Sequence, residues 1–148
     1  LVAISMAKGI DIRFNFPFLG ITQQDDGSLI VDGAEKGMVE TDLVMFAVGR
    51  VPNSAGLGLE ALGVDMGDDG TVFVDTHNRT NVPGVYAVGD VTNRVQLTPV
   101  AIREGHALAD MLFGGVTRTI DYASIPTAVF ANPPLAGVGL TEAEARDI

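Results

Sequence analysis

Two short runs hold the residues best placed for chemistry. In Val85-Tyr86-Ala87-Val88-Gly89-Asp90, an apolar stretch suited to a strand covered on both faces delivers an acid to its carboxyl end. In open α/β sheets, ligands gather beyond that edge. Gly89 removes side-chain bulk where a ligand would approach the backbone, and the Asp90 carboxylate can accept hydrogen bonds from sugar-type hydroxyls. Taken alone, a strand-Gly-Asp run reads more readily as a capped turn. Farther along, Leu97-Thr98-Pro99-Val100-Ala101 opens a helix, with Thr98 expected as N-cap and Pro99 in the first position. The uncommitted amides and partial positive charge of such an end suit anions or electron-rich carbonyls. An ordinary capped helix is again the simpler reading of that run by itself.

The elements that must position these residues follow an α/β pattern. Leu1 to Lys8 reads as the tail of a helix ended by Gly9. Residues 10–16 alternate as a strand. Leu19 to Gln24 and Ser28 to Val31 flank Asp26-Gly27, a hairpin signal. Met38 to Val48 continues extended, broken near Thr41-Asp42. Its end, Leu43 to Val48, is a continuous apolar run of the kind found in parallel sheets. A short helical stretch is expected around Leu57 to Leu62, and short strands at Val72 to Val74 and Val85 to Val88. The helix from Thr98 runs to Phe113, and Ile125 to Phe130 starts another strand. Thr141 followed by Glu144 reads as a capping box. A chain that begins in one helix and stops one turn into another is expected to be a piece of a longer protein.

Composition narrows the classes. The 148 residues carry a net charge of −10, which argues against nucleic acid or an anionic membrane as a partner. No apolar run reaches the ~20 residues of a membrane span. With no cysteine, the chain has neither a disulfide framework nor a thiolate metal site and cannot perform dithiol chemistry unaided. Gly56-Leu57-Gly58-Leu59-Glu60-Ala61 fits a dinucleotide-loop pattern, but no buried strand leads into it, so it reads as loop and short helix. His77 and His106 have no third partner for a metal. Asp25-Asp26-Gly27 and Asp68-Asp69-Gly70 read as solvated turns.

In combination the runs are more specific. Pro83 to Asp90 followed by Leu97 to Ala101 resembles the second flavin-binding signature of the pyridine nucleotide–disulfide oxidoreductases. Upstream, Asp42-Leu43-Val44-Met45-Phe46-Ala47-Val48-Gly49-Arg50-Val51-Pro52-Asn53 is similar to that family's junction between nicotinamide and flavin domains. Downstream, Ile125-Pro126-Thr127-Ala128-Val129-Phe130, Pro133-Pro134 and Gly137-Val138-Gly139-Leu140-Thr141-Glu142 resemble the opening of its interface domain. Leu97 to Ala101 together with Ile125-Pro126-Thr127 is most similar to the glutathione reductases. Ala136-Gly137 departs from the Gly-Thr usual there.

The resemblance implies an α/β chain: part of a Rossmann-like FAD/NAD(P)-binding fold with a β-meander, plus the start of an α+β interface domain. Residues 1–50 would end the NAD(P)H-binding domain, 51–121 would be the returning segment of the FAD-binding domain, and 122–148 would begin the dimerisation domain. FAD and NADPH are the implied cofactors. Asp90, beyond Gly89, would hold the flavin's ribityl chain. The backbone around Leu97 and Thr98 would face the pyrimidine edge of the ring, where a helix end stabilises the anion formed on reduction. Gly49 would lie near the nicotinamide, while Arg50 and Asn53 would fix the domain junction. The parent would be a cytoplasmic homodimer that reduces a small-molecule disulfide, glutathione disulfide first, with no nucleic-acid or membrane partner. The family's Gly-rich phosphate loops, redox-active cysteine pair and His-Glu acid/base pair are not in this sequence, so the chain alone is expected to be inactive. The alternatives are a thioredoxin or trypanothione reductase, another FAD-dependent NAD(P)H oxidoreductase, and, in a different class, a non-catalytic flavin-binding module.

Overall fold

Turn chemistry sets the course of the first part of the chain. The computed structural model describes residues 1–148 and divides into two units, Leu1–Val48 and Gly49–Ile148. The first unit opens with helix α1 (Val2–Ala7). The Gly9 N–H donates to the Met6 carbonyl and the Ile10 N–H to the Ser5 carbonyl, with Gly9 at φ +86°. This is a Schellman ending, and the left-handed position falls to a residue without a Cβ.

Three antiparallel strands follow, β1 (Gly20–Gln23), β2 (Leu29–Asp32) and β3 (Met38–Thr41), in the order β1-β2-β3. Between β1 and β2, the Asp26 carboxyl accepts from the Ser28 N–H and hydroxyl at 3.0 and 2.8 Å, and Gly27 sits at φ +90°, the glycine geometry of a short hairpin loop. Ile21 pairs with Val31, and Val31 with Val39, so one face of the meander is a β-branched row. A Cβ on Gly33 would stand 2.1 Å from the Phe16 ring; the glycine lets that ring lie on the sheet.

Two expected strands of this unit do not form. Residues 10–16 turn at Phe14-Asn15, with Asn15 at φ +53°, and Arg13 is drawn to Asp11 at 2.8 Å. Residues 43–48 join no ladder, and their apolar side chains face solvent: Leu43 is 79%, Met45 83% and Val48 89% exposed. A parallel strand needs a neighbour to bond its N–H and C=O groups, and no segment of this chain runs beside it. Only Phe46 finds an aromatic partner, Phe18, edge-on at 5.1 Å.

In the second unit the expected helix around Leu57 to Leu62 is a series of turns. Gly56, Gly58 and Gly63 all take positive φ, and glycines this dense cost a helix about 1 kcal/mol each. The short strands expected at 72–74 and 85–88 reduce to single bridges, Met66 with Val72 and Arg79 with Tyr86. Scattered bonds supplement them: the Val72 N–H donates to the Val91 carbonyl and the Ala87 N–H to the Asn78 carbonyl, at 3.0 and 3.1 Å. Helix α2 (Thr98–Phe113) packs against the turn at residues 89–92. The buried apolar residues are Val64, Val72, Val100 and Ala107. Strands β4 (Thr127–Val129) and β5 (Leu135–Gly137) form an antiparallel pair centred on Ala128 and Ala136. Helix α3 (Glu142–Arg146) has its full capping box: the Thr141 hydroxyl accepts from the Glu144 N–H while the Glu144 carboxyl accepts from the Thr141 N–H. No helix is long and apolar enough to cross a membrane.

Candidate functional site

The Gly89-Asp90 turn is built by a change of backbone hand. Val88 is extended, at φ −136° and ψ 157°. Gly89 then takes φ +73°, and residues 89–92 form one 3₁₀ turn closed by the Thr92 hydroxyl donating to the Gly89 carbonyl at 2.8 Å. A residue with a side chain would meet two obstacles here. The left-handed backbone costs roughly 1–2 kcal/mol, and its Cβ would lie 3.0 Å from the Ala101 Cβ. Gly89 is buried, and its missing side chain lets α2 approach the turn closely. Asp90, one residue on, is exposed. Its carboxyl lies 3.8 Å from the Arg50 Nε, with side chains 51% and 74% exposed. A solvent-open pair at that distance contributes between 0 and about 1 kcal/mol, so Asp90 remains available to another partner.

Behind the turn lies a polar network that the sequence did not single out. The Glu104 side chain, 1% exposed, accepts the Gly89 N–H at 2.6 Å with Oε2 and the Tyr122 hydroxyl at 2.5 Å with Oε1. Arg94 donates to the Tyr122 oxygen at 3.1 Å, to the carbonyls of Val74 and Asp75 at 2.7 and 2.5 Å, and to Asn78 Oδ1 at 3.3 Å. Its guanidinium also stands over the Tyr122 ring, 5.6 Å from the centroid. Burial pushes the Tyr122 hydroxyl above its ordinary pKa, the bond to Glu104 pushes the same way, and Arg94 opposes both. Arg79 and His77 donate their backbone N–H groups to the Asp75 carboxyl, and the Arg79 bond first of all holds that carboxyl below its ordinary value. No buried side-chain nitrogen or oxygen lacks a partner. One signal was present in the sequence: Glu104 lies four residues after Val100 and three before Ala107, on the buried stripe of α2. A charge on that stripe requires partners.

The start of α2 differs in one respect from expectation. Leu97, extended at φ −132° and ψ 128°, is the N-cap; Thr98 and Pro99 are the first helical residues, and no side chain caps the end. Proline is tolerated there because an N–H at that position would have no helical acceptor. Leu97 is half-buried, and Thr98 and Pro99 are exposed. Leu97, Pro99 and Val100 share a cavity of about 170 Å³ with Ile125 and Pro126. Gly49 opens the second unit at φ +111°, with no atom within 4 Å of where its Cβ would be. Arg50 next to it reaches Asp90, whereas Asn53 is exposed. The chain thus brings Gly89, Asp90 and the α2 helix together, with Arg50 at their edge. His, Asp and Glu residues form no group of three or more able to hold a metal.

Comparison with known proteins places this geometry. Residues 2–105 match the family model described as pyridine nucleotide-disulphide oxidoreductase. A glutathione reductase of Burkholderia cepacia is 49% identical over 140 residues, covering 95% of this chain and 31% of that protein. The chloroplastic/mitochondrial glutathione reductase of Pisum sativum is 47% identical over 142 residues, covering 94% and 25%. A trypanothione reductase of Trypanosoma congolense is 44% identical over 140 residues, covering 95% and 28%. The solved structure of an HOCl-induced flavoprotein disulfide reductase from Escherichia coli superposes with a TM-score of 0.92 at 30% identity, over 99% of this chain and 34% of that one. The chain spans about a third or less of the length of these relatives. With the family model matching residues 2–105 of 148 and the same fold found over nearly the whole chain, this chain belongs to the pyridine nucleotide-disulphide oxidoreductase family.

Proposed function

We propose that this chain is part of an FAD- and NADPH-dependent disulfide reductase whose substrate is glutathione disulfide. The observation that carries the reading is the Gly89-Asp90 turn packed on α2 in a chain 49% identical to a glutathione reductase. The donor and acceptor set fits a flavin. Asp90 is an exposed acid able to accept from ribityl hydroxyls. The α2 start has no side-chain cap and directs its dipole outward, which suits the electron-rich pyrimidine edge of the ring. FAD, when bound, relays a pair of electrons between nicotinamide and disulfide. The residues of this chain bind and orient: Asp90 holds the ribityl chain, the backbone at Leu97 and Thr98 faces the ring, and Gly49 lies near the nicotinamide.

On this reading residues 1–50 close the NAD(P)H domain, 51–121 return to the FAD domain and 122–148 begin a dimerisation domain of a cytoplasmic homodimer. The reactive thiols are supplied by sequence other than this cysteine-free segment. The test is a substrate comparison with the full-length protein, following NADPH oxidation with glutathione disulfide and with trypanothione disulfide. A kcat/KM at least about tenfold higher for glutathione disulfide, equivalent to roughly 1.4 kcal/mol, supports the assignment. The reverse preference supports the second reading, a trypanothione reductase, which the 44% and 46% identities to two such enzymes favour. Reduction of neither overturns both.

A further inference from the structure

Glu104 is the only charged side chain among the buried residues of the chain. A buried carboxyl is costly unless both oxygens are bonded, and an apolar residue of similar size often packs there at no loss of stability. What Glu104 supplies is therefore geometry. Its Oε2 takes the Gly89 N–H and its Oε1 takes the Tyr122 hydroxyl. The Tyr122 oxygen in turn accepts from Arg94, whose other donors are fixed on two backbone carbonyls. The carboxyl cannot rotate without breaking a bond at each end. The group it holds belongs to the most permissive residue type, at a point where φ is +73°, and the next residue is Asp90.

We propose that Glu104 is a positioning residue: by holding the Gly89 N–H, it fixes the left-handed turn that aims the Asp90 carboxylate at the ribityl hydroxyls of the flavin. The inference rests on the flavin-side reading of Asp90 given above. Tyr122 and Arg94 act one step farther out, by fixing the Glu104 carboxyl. A Glu104→Gln side chain still offers Gly89 an oxygen and can donate from its amide to the Tyr122 oxygen, so it preserves the turn. Glu104→Leu fills similar space and offers neither.

The test is FAD affinity of the full-length apoprotein, read by quenching of flavin fluorescence, with the apoprotein's thermal midpoint measured alongside. Asp90→Asn and Glu104→Leu are each expected to weaken FAD about tenfold, the scale of one lost hydrogen bond to a charged group. Glu104→Gln stays within about twofold of the unmodified protein. Because Glu104 acts through Asp90, the double variant Asp90→Asn/Glu104→Leu binds no more than about twofold weaker than Asp90→Asn alone. Should Glu104→Leu fail to fold, Tyr122→Phe takes its place, with a loss of about threefold expected from loosening the carboxyl; unchanged affinity in that variant overturns the proposal. Glu104→Leu at full affinity beside a weakened Asp90→Asn also overturns it and leaves the flavin site standing. An Asp90→Asn variant with unchanged affinity removes the flavin-site reading, and the proposal falls with it. Losses that multiply in the double variant assign Glu104 to general stability and overturn the positioning role.

Discussion

The two units of the chain hold themselves together by different means. In Leu1–Val48 order comes from backbone ladders and local turns. The β1-β2-β3 meander is the main pairing, and Gly33 is the only buried residue. In Gly49–Ile148 regular pairing is scarce, and side chains do the work. Its buried set includes Ser54, Thr71, Asn78, Thr92 and Glu104 alongside four small apolar residues, and each buried side-chain nitrogen or oxygen has a partner. A ladder is specified by register and tolerates substitutions on its open face. A polar network is specified by individual donors and acceptors, and removing one strands the others. The candidate site lies in the unit of the second kind.

The sharpest way to break this contrast is to remove Arg94. Arg94→Ala leaves the Val74 and Asp75 carbonyls, Asn78 and Tyr122 without their shared donor. The expected cost is about 2–3 kcal/mol, measured by urea unfolding of the full-length protein. Val39→Thr in the meander, a half-buried strand position, is expected to cost under about 1 kcal/mol. Equal losses would erase the distinction.

Gly89→Ala comes next. Left-handed strain and the 3.0 Å approach to Ala101 together are expected to cost about 2 kcal/mol. Gly27→Ala, also at positive φ but with nothing within 4 Å of its Cβ, isolates the strain alone and should cost less.

A pH profile sharpens the comparison further. The Tyr122 pKa is raised in the folded chain, chiefly by burial, so the folded state keeps its proton when the unfolded state has lost it. That contribution is complete below the unfolded value of about 10 and disappears as pH rises through the folded value. Denaturant midpoints are expected to fall above about pH 10, and Tyr122→Phe to flatten that decline. An unchanged slope in the variant would assign it to other groups.

The smallest effect is expected at the apolar run. Leu43→Ser and Val48→Ser face solvent in this chain and should change its stability by less than about 0.5 kcal/mol. A loss above about 1 kcal/mol in this chain would show that the run is packed.

What the sequence disclosed follows the same division. Features decided by a few neighbours were legible: the Gly9 ending, the Asp26-Gly27 hairpin, the span of α2 and the Thr141–Glu144 capping box all rest on local side-chain or backbone rules. The strands joined by that hairpin, β1 and β2, were legible with it; strands whose partner no local turn supplies were not, because a strand is a relation between segments. Leu43 to Val48 has the composition of a covered strand, but composition cannot supply its neighbour, and Val85 to Val88 keeps only one bridging residue for the same reason. At the site, Gly89 and Asp90 stood out by type and place. Glu104, Tyr122 and Arg94 did not, since their meaning depends on partners 15 to 28 residues away. The misplaced N-cap is a one-residue error of the kind that helix ends invite.

Those separations also bear on the order in which the chain acquires its shape. Helix α2 can form on i→i−4 bonds within a microsecond or so. The Glu104–Gly89 bond must close 15 residues of chain and the Arg94–Tyr122 bond 28, and each closure loses entropy before any contact repays it. The turn bearing Asp90 is therefore expected to assemble late, on a helix already in place, and to open without that helix unwinding. In native-state hydrogen exchange, the Gly89 amide should exchange at a lower opening free energy than the amides at the middle of α2. A late-closing, early-opening turn would let the Asp90 carboxylate be inserted and withdrawn while its scaffold stays folded.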